Sequence, residues 1–301
     1  MNDTLYDLII IGAGPAGMTA AIYAARANKN VALIDKNGFG GNIAKSPKVE
    51  NIPGFTEISG VDFAANMFNQ IENLQNITHI IDEAVFVDYK YGMFKISLFD
   101  DHRIICGKSL IFATGTEHRE LNIDPDNTYY CATCDGPFFK GKDVVVVGSG
   151  NSGATYALDL STYCRKVYLC DITQDMCCEK ILAERIKSCP NIEWHANTTV
   201  VKTEKNKNNK LTAVILSDGI KLKCSAIFAA IGLIPKTELA KRFVEIDSKG
   251  FIISDNCKTN LVPGVFVAGD CRVNKVKQVV TACADGATAA IAAIDFLNNR
   301  R

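Results

Sequence analysis

Short, unbroken apolar runs alternate with helix-like stretches along this chain, and several of the runs end on glycine. Leu8-Ile9-Ile10-Ile11 is one such run. A run of that length without polar alternation predicts a strand buried on both faces. An alanine-rich stretch follows to about Asn28 and predicts a helix, and a second strand is expected from Val31 to Ile34. The same order recurs later, with a strand at Val144–Val147, a helix to about Tyr163 and a strand at Val167–Cys170. Strand, helix, strand in this order predicts βαβ units and a parallel sheet. Leu110 to Gly115 and Gly264 to Asp270 also read as strands running into glycine turns. An alanine-rich helix is expected from about Gln278 to Leu297, and the polar run Lys205–Lys210 reads as a hairpin loop.

The glycines give the two repeated units a chemistry. Gly12-Ala13-Gly14-Pro15-Ala16-Gly17 follows the first strand, and Asp35 closes the next one. Gly148-Ser149-Gly150-Asn151-Ser152-Gly153 and Asp171 repeat the arrangement at the same spacing. Strand, GxGxxG, helix, strand and acid together form a dinucleotide site. The glycines permit a tight turn and close pyrophosphate approach, the helix N-terminus favours phosphate charge, and the acid can bind a ribose hydroxyl. Two such units imply an α/β fold of two Rossmann-like, three-layer nucleotide-binding domains. The strand-into-glycine runs at 110–115 and 264–270 place the second domain inside the first. The expected division is 1–116 with 248–301 for one domain and 117–247 for the other, with crossings at 116–120 and 245–250.

Composition narrows the partners. Lys+Arg and Asp+Glu are equal at 33 each, so charge gives no reason to expect nucleic acid or an anionic membrane surface. The longest apolar runs look strand-sized, so no membrane crossing is expected. The start, Met1 to Asp7, lacks the basic and apolar regions of a signal peptide, which makes the cytoplasm the expected location. Twelve cysteines are many for such a chain and suit a reducing cytosol. Cys106, Cys164, Cys170, Cys189, Cys224, Cys257, Cys271 and Cys283 are scattered among apolar residues and are expected to be small core residues. Cys177-Cys178 sit at an expected helix start, and with Cys170 and Cys189 they have no regular ligand spacing. His79, His102, His118 and His195 match no metal or triad spacing. No metal site is expected. Cys131-Ala132-Thr133-Cys134, followed by Asp135-Gly136, stands apart. Its spacing alone fits either a redox dithiol or half of a zinc site. Its place between two nucleotide fingerprints favours the dithiol.

In combination these motifs resemble the low-molecular-weight thioredoxin reductases. The likeness runs from about residue 5 to 297 and rests on GAGPAG at 12–17, GGN at 40–42, VENIPG at 49–54, ATG at 113–115, CATCDG at 131–136 and AGD at 268–270. The resemblance implies FAD on the first fingerprint, with Gly12, Gly14, Pro15, Ala16 and Gly17 at the pyrophosphate and Asp35 at the adenosine end. It also implies Gly41, Asn42 and Asn51 along the flavin, Thr114, Gly115 and Gly269 at its turns, Asp270 on the ribityl chain, and Lys277-Gln278-Val279 beside the isoalloxazine. Read without it, Gly115 and Gly269 are simple turn glycines, and Asp135 is a turn aspartate. With it, Cys134 is the flavin-proximal sulfur, Cys131 the interchange thiol, and Asp135 the acid–base group. The family's domains rotate so that the dithiol meets flavin and protein substrate in turn. Thioredoxin, or a thioredoxin-like protein, and a homodimer are the implied partners.

The chain departs from the family at one place. NADPH-dependent members carry an HRR segment after the second strand and a further Arg four residues on. Here the matching positions are Asp171-Ile172-Thr173 and Cys177. Each lost charge-assisted phosphate contact is worth roughly 1.5–3 kcal/mol, and Asp171 repels the phosphate besides. NADPH is therefore not the expected donor. Reduced ferredoxin is the leading expectation, as in the ferredoxin-dependent flavin thioredoxin reductases. NADH, with Asp171 on its ribose, is the alternative, and the intact second GxGxxG argues for it.

Overall fold

The computed structural model describes residues 5–46, 49–100, 103–121 and 123–300. Met1–Thr4 and His102, on which sequence readings fell, lie outside the described residues. The chain forms two compact units, Met1–Glu117 with Ile234–Arg301, and His118–Leu233. The return crossing thus comes earlier than the expected 245–250. Ala240, Phe243 and Val244 are buried in the first unit's core, with the Phe243 ring 6.4 Å from those of Phe94 and Phe112. That packing assigns the stretch from Ile234 onward to the first domain and shortens the expected 117–247 insertion at its end.

In the first unit the chain runs through β1 (Leu5–Ile11), α1 (Pro15–Arg26), β2 (Val31–Asp35), α2 (Gly60–Glu72), β3 (Ile77–Ile81), β4 (Ala84–Lys90), β5 (Met93–Leu98) and β6 (Ile104–Phe112). The strand order is β3-β2-β1-β6-β5-β4. β1, β2, β3 and β6 pair in parallel, whereas β4 and β5 pair antiparallel. Side chains alternate across a strand, and β1 shows the result. Leu8 and Ile10 join the cluster formed with α1 and the last helix, while Ile9 and Ile11 join the cluster under β4 and β5. α1 and the last helix cover one face of this sheet. Pro15 at the first turn of α1 suits a position whose N–H has no helical partner, and Asn28, at φ 58°, lies just past its end.

The second unit repeats this plan. The chain enters it in β7 (Thr116–His118) and runs through β8 (Thr128–Tyr129), α3 (Ala132–Asp135), β9 (Asp143–Val147), α4 (Asn151–Ser161), β10 (Lys166–Cys170), α5 (Lys180–Ser188) and β11 (Ile192–His195). The antiparallel set β12 (Val200–Lys205), β13 (Leu211–Leu216) and β14 (Lys221–Lys223) follows, then β15 (Ile227–Ala229). The parallel sheet has the order β11-β10-β9-β15-β8. Val144 and Val146 face α4, and Val145 and Val147 face the antiparallel set. Cys177 and Cys178 precede α5 rather than starting it. The polar run after Lys205 is the β12–β13 hairpin loop.

The chain returns in β16 (Leu233–Pro235), adds β17 (Val265–Val267) parallel to β6, and ends in α6 (Val279–Asn299). Contrary to the expectation of strand-sized apolar runs, α6 is long and apolar enough by length and composition to cross a membrane. In this fold Ala289, Ala290 and Ala293 are fully buried with α1 and β1, so small side chains serve close helix packing.

Phe94 is fully buried and touches the rings of Tyr89 and Phe243. Phe94→Ala is expected to cost about 3–5 kcal/mol, read as a lower urea midpoint. A loss under about 1 kcal/mol would show that this core collapses around the gap.

Candidate active site

The first fingerprint is a turn closed on itself by backbone. Gly12 has φ +107°, and a Cβ there would lie 2.3 Å from the Ala113 carbonyl oxygen, so only glycine fits. A Cβ at Gly17 would meet the Gly12 carbonyl oxygen at 1.8 Å, which brings α1 tightly onto the turn. Asp35, at the end of β2, fixes the turn through its Oδ2, which accepts from the Ala13 N–H at 2.8 Å. Its Oδ1 accepts from the Asn37 N–H at 2.8 Å. Gly14 caps α1 without a side-chain hydrogen bond, so no capping side chain answers the first-turn N–H groups. Gly41 faces it, and a Cβ on Gly41 would lie 3.1 Å from the Gly14 Cα. The result is a glycine-walled slot at a helix N-terminus that suits a pyrophosphate.

The later motifs of the first unit are tied to one another by hydrogen bonds. Asn42 Nδ2 donates to the Thr116 carbonyl at 2.8 Å, and Asn51 Nδ2 donates to Gln278 Oε1 at 3.1 Å. Thr114 Oγ1 donates to the Lys236 carbonyl, and the Gly115 carbonyl accepts from the Lys236 N–H at 3.0 Å. Gln278 caps α6 with Thr281 in a reciprocal capping box, and Val279 packs beside Ile43, Val49 and Ile52. Burial raises the Asp270 carboxyl above the usual range, with the Lys277 charge acting against it. Burial lowers the Lys277 ammonium, whose Nζ donates to the Asp270 and Arg272 carbonyls at 2.7 and 3.1 Å.

The second fingerprint copies the first. Gly148 has φ +105°, and a Cβ on it would lie 2.6 Å from the Ala230 carbonyl oxygen. Gly150 caps α4 without a side-chain bond. Asp171 Oδ2 accepts from the Ser149 N–H at 2.5 Å, and its Oδ1 accepts from the Thr173 N–H at 3.2 Å. Burial works against its charge, but the Ser149 and Thr173 hydrogen bonds outweigh it and hold the pKa below the usual range. An anion therefore stands just past the end of β10. Ile172 is exposed, and Cys177 donates its N–H to Ser149 Oγ at 3.1 Å.

Cys131 and Cys134 form a disulfide with Cα atoms 5.3 Å apart. One turn of helix, α3, creates that spacing, with the Asp135 N–H donating to the Cys131 carbonyl at 3.0 Å and the Cys134 N–H to Cys131 Sγ at 3.2 Å. Both cysteines are half-buried, Thr133 between them is exposed, and Asp135 is only 9% exposed. Burial raises the Asp135 carboxyl to about 6. The helix that starts at the second fingerprint also holds this turn. Tyr156 on α4 donates its hydroxyl to the Tyr130 carbonyl at 2.9 Å, and a Cβ at Gly136 would lie 2.2 Å from the Tyr163 hydroxyl.

Four of the remaining thiols are of another kind. Burial pushes Cys164 up to about 11 and Cys170, Cys224 and Cys257 up to about 12, which leaves them protonated and inert. Cys106, Cys189 and Cys283 are less buried than the core role expected of them implies. Sequence reasoning missed Tyr156, Arg272 and Asp285. The signal for Asp285 was present, since Asp285-Gly286 interrupts an otherwise small and apolar helical run.

A family model described as pyridine nucleotide-disulphide oxidoreductase matches residues 6–286. The thioredoxin reductase of Mycoplasma genitalium is 35% identical, across 96% of this chain and 95% of its own. That of Treponema pallidum is 36% identical, across 98% of both. The crystal structure of thioredoxin reductase from Streptococcus pyogenes matches with a TM-score of 0.90 at 31% identity, covering 99% of each chain.

Asp135 sets a test of pH dependence. Its folded pKa, about 6, lies above the ordinary aspartate value of 3.8, so the folded state binds the extra proton. The stability from this group is complete below pH 4 and is lost as pH rises to about 6. Asp135→Asn, neutral and nearly isosteric, is expected to melt higher than the parent at pH 8, by at most about 2–3 kcal/mol. The gain should vanish near pH 4. A variant less stable than the parent at pH 8 contradicts the desolvation account.

Proposed function

The chain belongs to the pyridine nucleotide-disulphide oxidoreductase family, whose members are FAD-binding flavoproteins, and we propose that it reduces the disulfide of thioredoxin, or of a thioredoxin-like protein, through Cys131 and Cys134. The observation that carries this reading is the Cys131–Cys134 disulfide beside a buried carboxyl with a pKa of about 6. The glycine-walled slot, the helix start without a capping side chain and the fixed Asp35 fit the FAD pyrophosphate and adenosine end. Gly41, Asn42, Asn51, Thr114, Gly115, Gly269, Asp270, Lys277, Gln278 and Val279 are the remaining candidates to hold it. When bound, the flavin supplies the two electrons that reopen the disulfide.

The protein's own groups then carry the exchange. The Cys131 thiolate attacks one sulfur of the partner's disulfide, forms a mixed disulfide and releases the other partner sulfur as a thiolate. The Cys134 thiolate attacks Cys131 Sγ, restores the internal disulfide and releases the second partner thiolate. Two protons accompany the two electrons to the partner. Asp135, titrating near neutrality, can take a proton from Cys134 as it becomes a thiolate and hand one to a departing sulfur.

The donor is not NADPH in this reading, because an anion held below the usual carboxylate range stands in the 2′-phosphate position. Reduced ferredoxin is the donor that the missing cations support. NADH is the second reading, favoured by one observation. Asp171 binds its fingerprint turn as Asp35 binds the first, with the same two oxygens on backbone N–H groups. A cytoplasmic homodimer is the setting that the resemblance supports.

Anaerobic reduction followed at the flavin absorbance band, with thioredoxin as acceptor, tests the reading. Ferredoxin alone is expected to bleach the flavin and sustain thioredoxin reduction. NADPH is expected to be slower than any working donor by at least about a hundredfold. Rapid bleaching by NADH, lost in Asp171→Ala, would replace ferredoxin by the second reading. Rapid turnover with NADPH would overturn both.

A further inference from the structure

The flavin-side motifs are far apart in sequence, and one buried ion pair ties them together. At Asp285-Gly286, α6 crosses the start of α1, where a Cβ on Gly286 would lie 2.1 Å from the Ala16 carbonyl oxygen. Gly269, at φ +75°, presses on the same residue, since its Cβ would lie 2.9 Å from that of Ala16. The fingerprint helix, the AGD turn and α6 therefore converge on one spot.

Asp285 is buried there and fully used. Its Oδ2 accepts from the Gly269 N–H at 3.1 Å and from Arg272 Nε at 2.7 Å, and its Oδ1 accepts from Arg272 Nη2 at 2.6 Å. Lys277 holds the same turn from its other end through the Asp270 and Arg272 carbonyls. A buried ion pair is weak evidence for stability, because desolvation offsets the attraction and an apolar pair of similar volume often serves as well. An apolar pair, however, cannot accept the Gly269 N–H or set the direction of the turn that carries Asp270.

We infer that Asp285 and Arg272 are positioning residues for the flavin, holding the Gly269–Asp270 turn in register with the first turn of α1. The inference rests on the flavin reading of these motifs given above.

The test uses the full-length chain as wild type, D285N, D285L and R272M/D285L. FAD affinity is read by fluorescence titration, the bound flavin by its visible circular dichroism, and the fold by the melting temperature of the apoprotein. FAD affinity is expected to fall at least about tenfold in D285L and less in D285N, whose amide oxygen still accepts from Gly269. R272M/D285L is expected to melt close to wild type yet bind FAD as weakly as D285L, with an altered flavin spectrum. Wild-type affinity and spectrum in that well-folded double variant would overturn the inference and leave the pair a packing feature. A wild-type chain that takes up no FAD would instead overturn the reading beneath it.

Discussion

One carboxylate-to-backbone hydrogen bond, made twice, governs the nucleotide ends of this protein. Asp35 and Asp171 each end the second strand of a βαβ unit and each accept from the N–H of the residue after the first fingerprint glycine. The bond fixes a turn that has no side chain of its own to hold it. It also places an acid beside the N-terminus of a helix whose cap residue is glycine. Everything assigned to a nucleotide in either unit depends on that arrangement.

Burial raises both Asp135 and Asp171, and hydrogen bonding decides which of the two stays an anion. Asp171 is burdened by burial, yet backbone and hydroxyl donors more than compensate, so it remains an anion. Asp135 is raised by burial to about 6 and can exchange protons near neutrality. The same desolvation keeps Cys164, Cys170, Cys224 and Cys257 as thiols. Burial thus takes four of the twelve cysteines out of thiolate chemistry near neutrality.

Features set by local rules were legible in the sequence. Gly12 and Gly148 are required by their own φ and by a carbonyl within reach of any Cβ, and that demand is written as GxGxxG. The strands on either side of each fingerprint follow from short-range pattern as well. Features set by packing were not legible. The return crossing depends on Phe243 reaching the rings of Phe94 and Phe112, a contact with no periodic trace near residue 240. Tyr156 acts through one hydroxyl on a carbonyl 26 positions away. Arg272 looks like a surface cation until Asp285 is placed beside it.

The central claim is that electrons leave this protein through Cys131, and trapping the mixed disulfide tests it most directly. Reduced Cys134→Ser enzyme mixed with oxidised thioredoxin lacks the resolving thiol, so the intermediate should persist. The account predicts one intermolecular disulfide, mapped by mass spectrometry to Cys131. No trapped species, or a bond through the exposed Cys177 instead, would contradict it.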